Sequence, residues 1–234
     1  MATPLSLFET RTNILDRIAR RAKLAGRKTE DISLIAVSKQ QPDTRIEAML
    51  ATGQKTYGEN RVQEAQKRWG ETFAHKRPEL ELRLIGPLQS NKVAEACALF
   101  DVIETLDREK LAKALVKAVE KTGKLPRLFV QVNTGEEEQK SGILPNALDA
   151  FIKTLRTEYD IHPEGLMCIP PAFENYIGQF GGQAPGPHFA FLKTLAERNG
   201  ITKLSMGMSA DFEPAVEFGA THVRVGSALF GARH

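Results

Sequence analysis

Two cysteines, Cys97 and Cys168, are all that the 234 residues hold, too few for a disulfide framework or a Cys-rich metal site. A reducing, cytoplasmic compartment is therefore expected. No apolar run approaches the roughly 18 residues that a bilayer span needs. The N-terminal stretch, with Glu9, Arg11, Asp16, Arg17, Arg20 and Arg21, has no apolar core of a secretion signal. Neither sign of charge dominates: 32 Lys and Arg against 29 Asp and Glu leave a formal +3, so the balance points to no nucleic-acid or membrane partner. Common catalytic signatures are missing too. There is no G-x-x-x-x-G-K-[ST] and no H-E-x-x-H, and GMSAD breaks a G-x-S-x-G elbow at its last glycine.

What is present is a rhythm. Short apolar runs at 32–38, 55–58, 82–86, 101–106, 127–133, 164–169, 203–208 and 222–226 alternate with helical patterns. Several runs are nearly continuous in apolar character, as parallel strands covered on both faces are. Helices are expected over 5–26, over 90–99 opening at Ser90, over 107–122 opening at Asp107, and over 188–199 after Pro187. Eight strands with intervening helices and no second strand cluster predict one domain over 1–234, an α/β fold of the (β/α)8 TIM-barrel type. The leading helix is expected to take the place of a last helix, since the chain ends shortly after the eighth run. Its basic face reads as solvated. Residues 170–187, rich in Pro and Gly, read as an exposed loop after strand six.

In such a barrel the C-terminal ends of the strands carry the site. Lys39 closes the first run, where an apolar wall beneath it would favour the neutral, nucleophilic amine. Lowering a lysine from about 10.4 towards 7 costs roughly 4 to 5 kcal/mol. Taken alone, a snorkelling lysine at a strand end explains it better. The end of the chain changes that balance. Ser209 follows strand seven, and Gly226 and Ser227 follow strand eight, two successive turns whose free N–H groups and hydroxyls suit a phosphate. By itself Ser209 could equally be an ordinary N-cap. Arg224, two residues before Gly226, lies on the same strand and is expected to point into the barrel. Beside a pyridine ring it would donate to the nitrogen and keep it unprotonated.

These residues sit in blocks: AVSKQQP at 36–42, YGENRVQEA at 57–65, LIGPLQSNK at 84–92, QKSG at 139–142, GLMCIPP at 165–171, SMGMSADF at 205–212 and VRVGSALFGAR at 223–233. In that order the chain resembles the pyridoxal 5'-phosphate (PLP) homeostasis proteins, relatives of the alanine racemase N-terminal barrel. The resemblance implies that Lys39 binds PLP as a Schiff base, Asn60 approaches the ring hydroxyl, and Ile85 and Met206 border the ring. It implies further that Ser209, Gly226 and Ser227 hold the phosphate and Arg224 the ring nitrogen. Lys140 would be a second lysine near the entrance. Two departures stand out: Arg83 replaces a usual histidine, and the loop 172–187 is longer than usual. Both are expected to alter what docks at the mouth.

The function implied is a monomeric, non-catalytic carrier or buffer of PLP in vitamin B6 homeostasis, supplying apo-enzymes by transient contact. The alternative is a PLP-dependent amino-acid racemase. A racemase of this barrel type takes an opposing acid, usually a tyrosine, from an additional β domain, and the chain is expected to stop before one begins. None of the three tyrosines, Tyr57, Tyr159 and Tyr176, is an evident substitute, although Tyr57 stands beside the GEN motif. A Schiff-base aldolase without PLP would explain Lys39 and the phosphate turns, but not Arg224 and Asn60.

Overall fold

The computed structural model describes residues 6–171 and 185–231. Among them eight parallel strands close into a barrel in sequence order. They are β1 (Ser33–Val37), β2 (Thr56–Glu59), β3 (Glu81–Leu84), β4 (Val102–Leu106), β5 (Arg127–Val132), β6 (Gly165–Cys168), β7 (Lys203–Ser205) and β8 (His222–Val225). The last strand pairs back onto the first, with Ser33 opposite His222 and Ala36 opposite Val225. Parallel neighbours need long crossovers. These are supplied by α2 (Asp43–Ala51), α3 (Val62–Ala65), α4 (Val93–Leu99), α5 (Glu109–Thr122), α6 (Leu148–Glu158), α7 (Gly186–Arg198) and α8 (Phe212–Glu217), with α1 (Leu7–Leu24) before the first strand and α9 (Ser227–Phe230) after the last. All eight expected strands are present.

The differences lie at element ends. Strand β7 stops at Ser205, not 208, because Gly207 turns the chain at φ 87°, and a Cβ there would meet the Ala215 Cβ at 2.5 Å. The helix expected from Ser90 begins as a 3-10 turn, Ser90–Lys92, before α4. The one expected to open at Asp107 begins at Glu109, and Asp107 pairs with Arg108 instead. Pro187 falls inside the first turn of α7, where its missing N–H costs nothing. Most of the Pro- and Gly-rich loop, 172–184, lies outside the described residues. Beyond α3 the chain continues as a π-helix, Gln66–Thr72.

Helix α1 opens on a capping box, with the Glu9 N–H donating to Ser6 Oγ and the Ser6 N–H to the Glu9 carboxylate. It contacts α8, α9 and α2, the gap between the last and first helices, as expected. Its basic face is not simply solvated: Arg17 pairs with Glu213 at 2.7 Å and Arg21 with Glu217 at 2.8 Å. Arg17 also lies over the Phe212 ring. Among the described residues no helix is long and apolar enough to cross a membrane.

Strand side chains alternate between two environments. Outward, Leu34, Ala36, Leu82, Leu84, Ile103, Val130, Leu166, Val223 and Val225 join the helices in one apolar cluster. Inward, Val102, Phe129 and Met167 form a small apolar cluster of their own within a lumen that also carries charge.

Candidate cofactor site at the barrel mouth

The register gathers the expected residues at one rim. Val37 lies opposite Gly58 on β2, and Glu59 opposite Leu84 on β3, so Lys39, Asn60 and Ile85 follow neighbouring strand ends. Gly226 completes the group beyond β8, where an added Cβ would stand 3.5 Å from the Val37 side chain, an ordinary contact. Gly58 leaves the space that Ile35 and Ile85 need: a Cβ there would stand 2.9 Å from Ile35 and 3.0 Å from Ile85. Gly86 is pressed on the main chain of Asn60, where a Cβ would come within 2.2 Å of the carbonyl oxygen. Thr105 Oγ1 donates to the Gly86 carbonyl at 2.9 Å and steadies that contact. The Asn60 Oδ1 is buried and has no hydrogen-bond partner among the described residues. A buried acceptor in this state is costly unless a donor meets it. A ring hydroxyl is such a donor, so the residue fits the group expected there.

The two turns after β7 and β8 converge. The N–H groups of Gly226 and Ala228 both donate to Ser209 Oγ, each at 3.2 Å. Ser209 therefore does not cap its own helix; α8 has Asp211 at its N-cap position, and Asp211 accepts from the Met208 N–H. The Gly226 and Ala228 N–H groups and the Ser209 hydroxyl that they meet thus stand together at one point of the rim, with Ser227 next in the chain to Gly226, a cradle of donors of the kind that suits phosphate oxygens. Ser227 is exposed, at the solvent side of the cradle.

Arg224 points into the lumen, 3% exposed. Its Nη1 donates to Ser205 Oγ at 2.7 Å and its Nη2 to the Cys168 carbonyl at 2.7 Å. Two of five guanidinium N–H groups are used by these bonds. Ser205 Oγ in turn donates to Glu104 Oε2 at 2.6 Å, and Arg83 Nε donates to Glu104 Oε1 at 2.6 Å. Below, Arg83 pairs with Glu81, and Glu81 with Arg127. A chain of alternating charge thus runs from the barrel floor up to Arg224. Burial pushes the Glu104 carboxyl up, but the Arg83 and Arg224 charges outweigh it and hold it below the usual range. At Glu81 burial likewise opposes ionisation, yet Arg83 and Arg127 bring its carboxyl down to about 2.

Other expected residues fall elsewhere. Met206 packs with the outer apolar cluster, because Ser205 takes the inward position before it, so only its main chain is left to border a ring. Tyr57 faces the helices, its ring 4.7 Å from that of Trp69, and burial pushes its hydroxyl pKa up. It cannot act at the mouth. Tyr159 donates to Glu109 on the outside of the barrel, and Tyr176 lies outside the described residues. Lys140 does sit at the C-terminal rim, on the segment after β5, across the barrel from β1; it donates to the Pro170 carbonyl at 3.0 Å and pairs with Glu137. Arg83 is a correction: expected to alter the mouth, it is fully buried inside the barrel and reaches Arg224 through Glu104 and Ser205. Glu104 and Ser205 were not singled out from sequence. The available signal was the carboxylate of Glu104 set among the apolar residues of VIETL. Among the described residues no group of three or more His, Cys, Asp or Glu side chains could hold a metal ion.

Residues 14–234 match the family model described as alanine racemase, N-terminal domain. The chain is 36% identical to the pyridoxal phosphate homeostasis protein of Aquifex aeolicus, over 98% of this chain and 99% of that one. It is 37% identical to the protein of that name in Escherichia coli K12, over 94% of each. The solved structure of PipY from Synechococcus elongatus PCC7942 with PLP bound is similar, with a TM-score of 0.73 and 35% identity over 92% of this chain and all of that one. Barrel, rim and relatives agree, and the chain belongs to the alanine racemase N-terminal-domain family and, within it, to the pyridoxal phosphate homeostasis proteins.

Proposed function

We propose that this protein holds PLP at the barrel mouth as a Schiff base on Lys39 and supplies it to apo-enzymes by transient contact. The observation that carries the reading is the buried, unpartnered Asn60 Oδ1, on the rim that Lys39 shares with the Ser209 cradle. PLP bound there would supply an aldehyde and an electron-poor ring. The Lys39 amine, in its neutral form, would condense with that aldehyde to a C=N bond, releasing water. Asn60 would accept from the ring hydroxyl, while Ile85 and the Met206 main chain border the ring. Ser209, Ser227 and the Gly226 N–H would hold the phosphate. Arg224 would donate to the ring nitrogen; a permanently charged donor leaves that nitrogen unprotonated and the ring a weak electron sink.

Carriage is favoured over racemisation for two reasons. Neither described tyrosine reaches the mouth, and the lumen chain holds Arg224 in its cationic role. Cys97 and Cys168 are both buried and unlinked, which suits a reducing compartment, and we place the protein in the cytoplasm as a single-domain monomer.

Visible absorbance before and after borohydride tests the reading. The purified protein should show a reducible adduct that Lys39→Ala abolishes. An adduct kept at full occupancy in Lys39→Ala would move the assignment to Lys140. Chiral chromatography should show no amino-acid racemisation above a free-PLP control; robust turnover lost in Lys39→Ala would make the protein an enzyme.

A further inference from the structure

Lys39 is the second residue of a turn over 38–41, closed by the Gln41 N–H donating to the Ser38 carbonyl at 3.1 Å. The third residue, Gln40, has a φ of 59°. Turns usually give this left-handed position to glycine or asparagine, because a larger side chain crowds its own backbone. Such a conformation persists where surrounding groups over-determine it. A guanidinium bridges the turn: Arg68 Nη1 donates to the Ser38 carbonyl at 3.0 Å and Nη2 to the Gln41 carbonyl at 2.7 Å.

Arg68 is held in turn by Glu59. Glu59 Oε1 accepts from Arg68 Nη1 at 2.8 Å, from Ser38 Oγ at 2.8 Å and from Trp69 Nε1 at 3.0 Å. The carboxylate is fully buried and the Arg68 side chain only 11% exposed. The π-helical segment carries Arg68 and Trp69 together, so that both consecutive side chains meet the one oxygen. We propose that Arg68, anchored on Glu59, is a positioning residue that fixes the direction in which Lys39 leaves the rim, by clamping the turn on both sides of it. This rests on the Schiff-base reading of Lys39 given above. A planar, forked donor is needed, since a lysine at this position would bring charge without bridging two carbonyls.

Two ligands separate this role from general support of the fold: PLP, and pyridoxine 5'-phosphate, which has the same ring and phosphate but an alcohol in place of the aldehyde. Arg68→Lys should weaken borohydride-trappable binding of PLP at least about tenfold, the scale of one lost charged hydrogen bond, and change pyridoxine 5'-phosphate affinity less than about twofold. Should Arg68→Lys fail to fold, the double variant Glu59→Gln with Arg68→Met removes both charges together, leaves no buried ion unpaired, and should give the same split. Equal losses for the two ligands, or no loss for either, would overturn the clamp while leaving the cofactor reading intact. If the unaltered protein forms no adduct at Lys39, the cofactor reading fails and the clamp falls with it.

Discussion

The two faces of the barrel sheet bury different chemistry. On the outer face Leu34, Ile103, Val130, Leu166 and Val225 meet helix side chains in one continuous apolar cluster. On the inner face Arg83, Glu104, Ser205, His222 and Arg224 stand beside Val102, Phe129 and Met167. Lumens of this fold are usually filled by branched aliphatic residues. Buried ion pairs seldom stabilise more than well-packed apolar side chains of similar volume would, because both charges lose their water. The outer layer therefore stabilises the barrel, whereas the lumen chain holds Arg224 in one place beneath the rim.

The sharpest way to break that comparison is to interrupt the chain at its centre. Glu104→Ala would leave Arg83 and Arg224 buried without their carboxylate and should cost about 3 to 5 kcal/mol in urea unfolding. A loss below about 1 kcal/mol would mean that the lumen is wetter and less coupled than its geometry implies.

Acid should reach the lumen before the outer layer. Burial, helped by the Arg83 charge, lowers His222 from 6.5 to about 4. Between those values the unfolded chain binds a proton that the folded chain does not, so stability should fall as pH drops from 6.5 towards 4. The loss is on the order of 3 kcal/mol. Urea midpoints across this window should fall less steeply in His222→Asn. The depressed carboxyls act lower: stability from Glu81 is present above its unfolded value of 4.5 and lost as pH falls towards about 2.

At the mouth, the Ser209 cradle should matter more for ligand than for fold. Ser209→Ala and Ser227→Ala should each cost roughly 1.5 to 3 kcal/mol of PLP affinity, about ten- to a hundredfold, with little change for pyridoxal, which lacks the phosphate. Titration with the two ligands checks this, and equal losses would sink the phosphate assignment. The smallest effect belongs to the outer layer: Ile103→Val should lower stability by about 0.5 to 1.5 kcal/mol and leave PLP affinity unchanged.

Sequence alone was enough for the eight strands, because near-continuous apolar runs of this length, separated by helical patterns, leave few other ways to bury both faces. Run ends also marked Lys39, Ser209, Gly226 and Ser227 as rim residues, while Asn60 and Ile85 came only from the resemblance of their blocks to a known family. Boundaries slipped where one residue's geometry intervened, as at Gly207, which ends β7 early. Which face a residue takes depends on register, and a shift of one position exchanges inside for outside. Hence Met206 turned outward, Tyr57 packs against the helices, and Arg83 entered the lumen. Contacts between residues far apart in the chain were beyond local pattern altogether. Ser205 meets Glu104 across 101 positions, and Ser209 receives Gly226 and Ala228 across 17 and 19. Strand order and closure create these encounters: β7 and β8 are direct neighbours, which joins their turns, and only the curved, closed sheet brings Ser205 of β7 onto Glu104 of β4. Local composition and spacing determined the elements and the rim; the tertiary structure decided which polar groups meet inside, because burial makes partners obligatory and the closed sheet determines which are within reach.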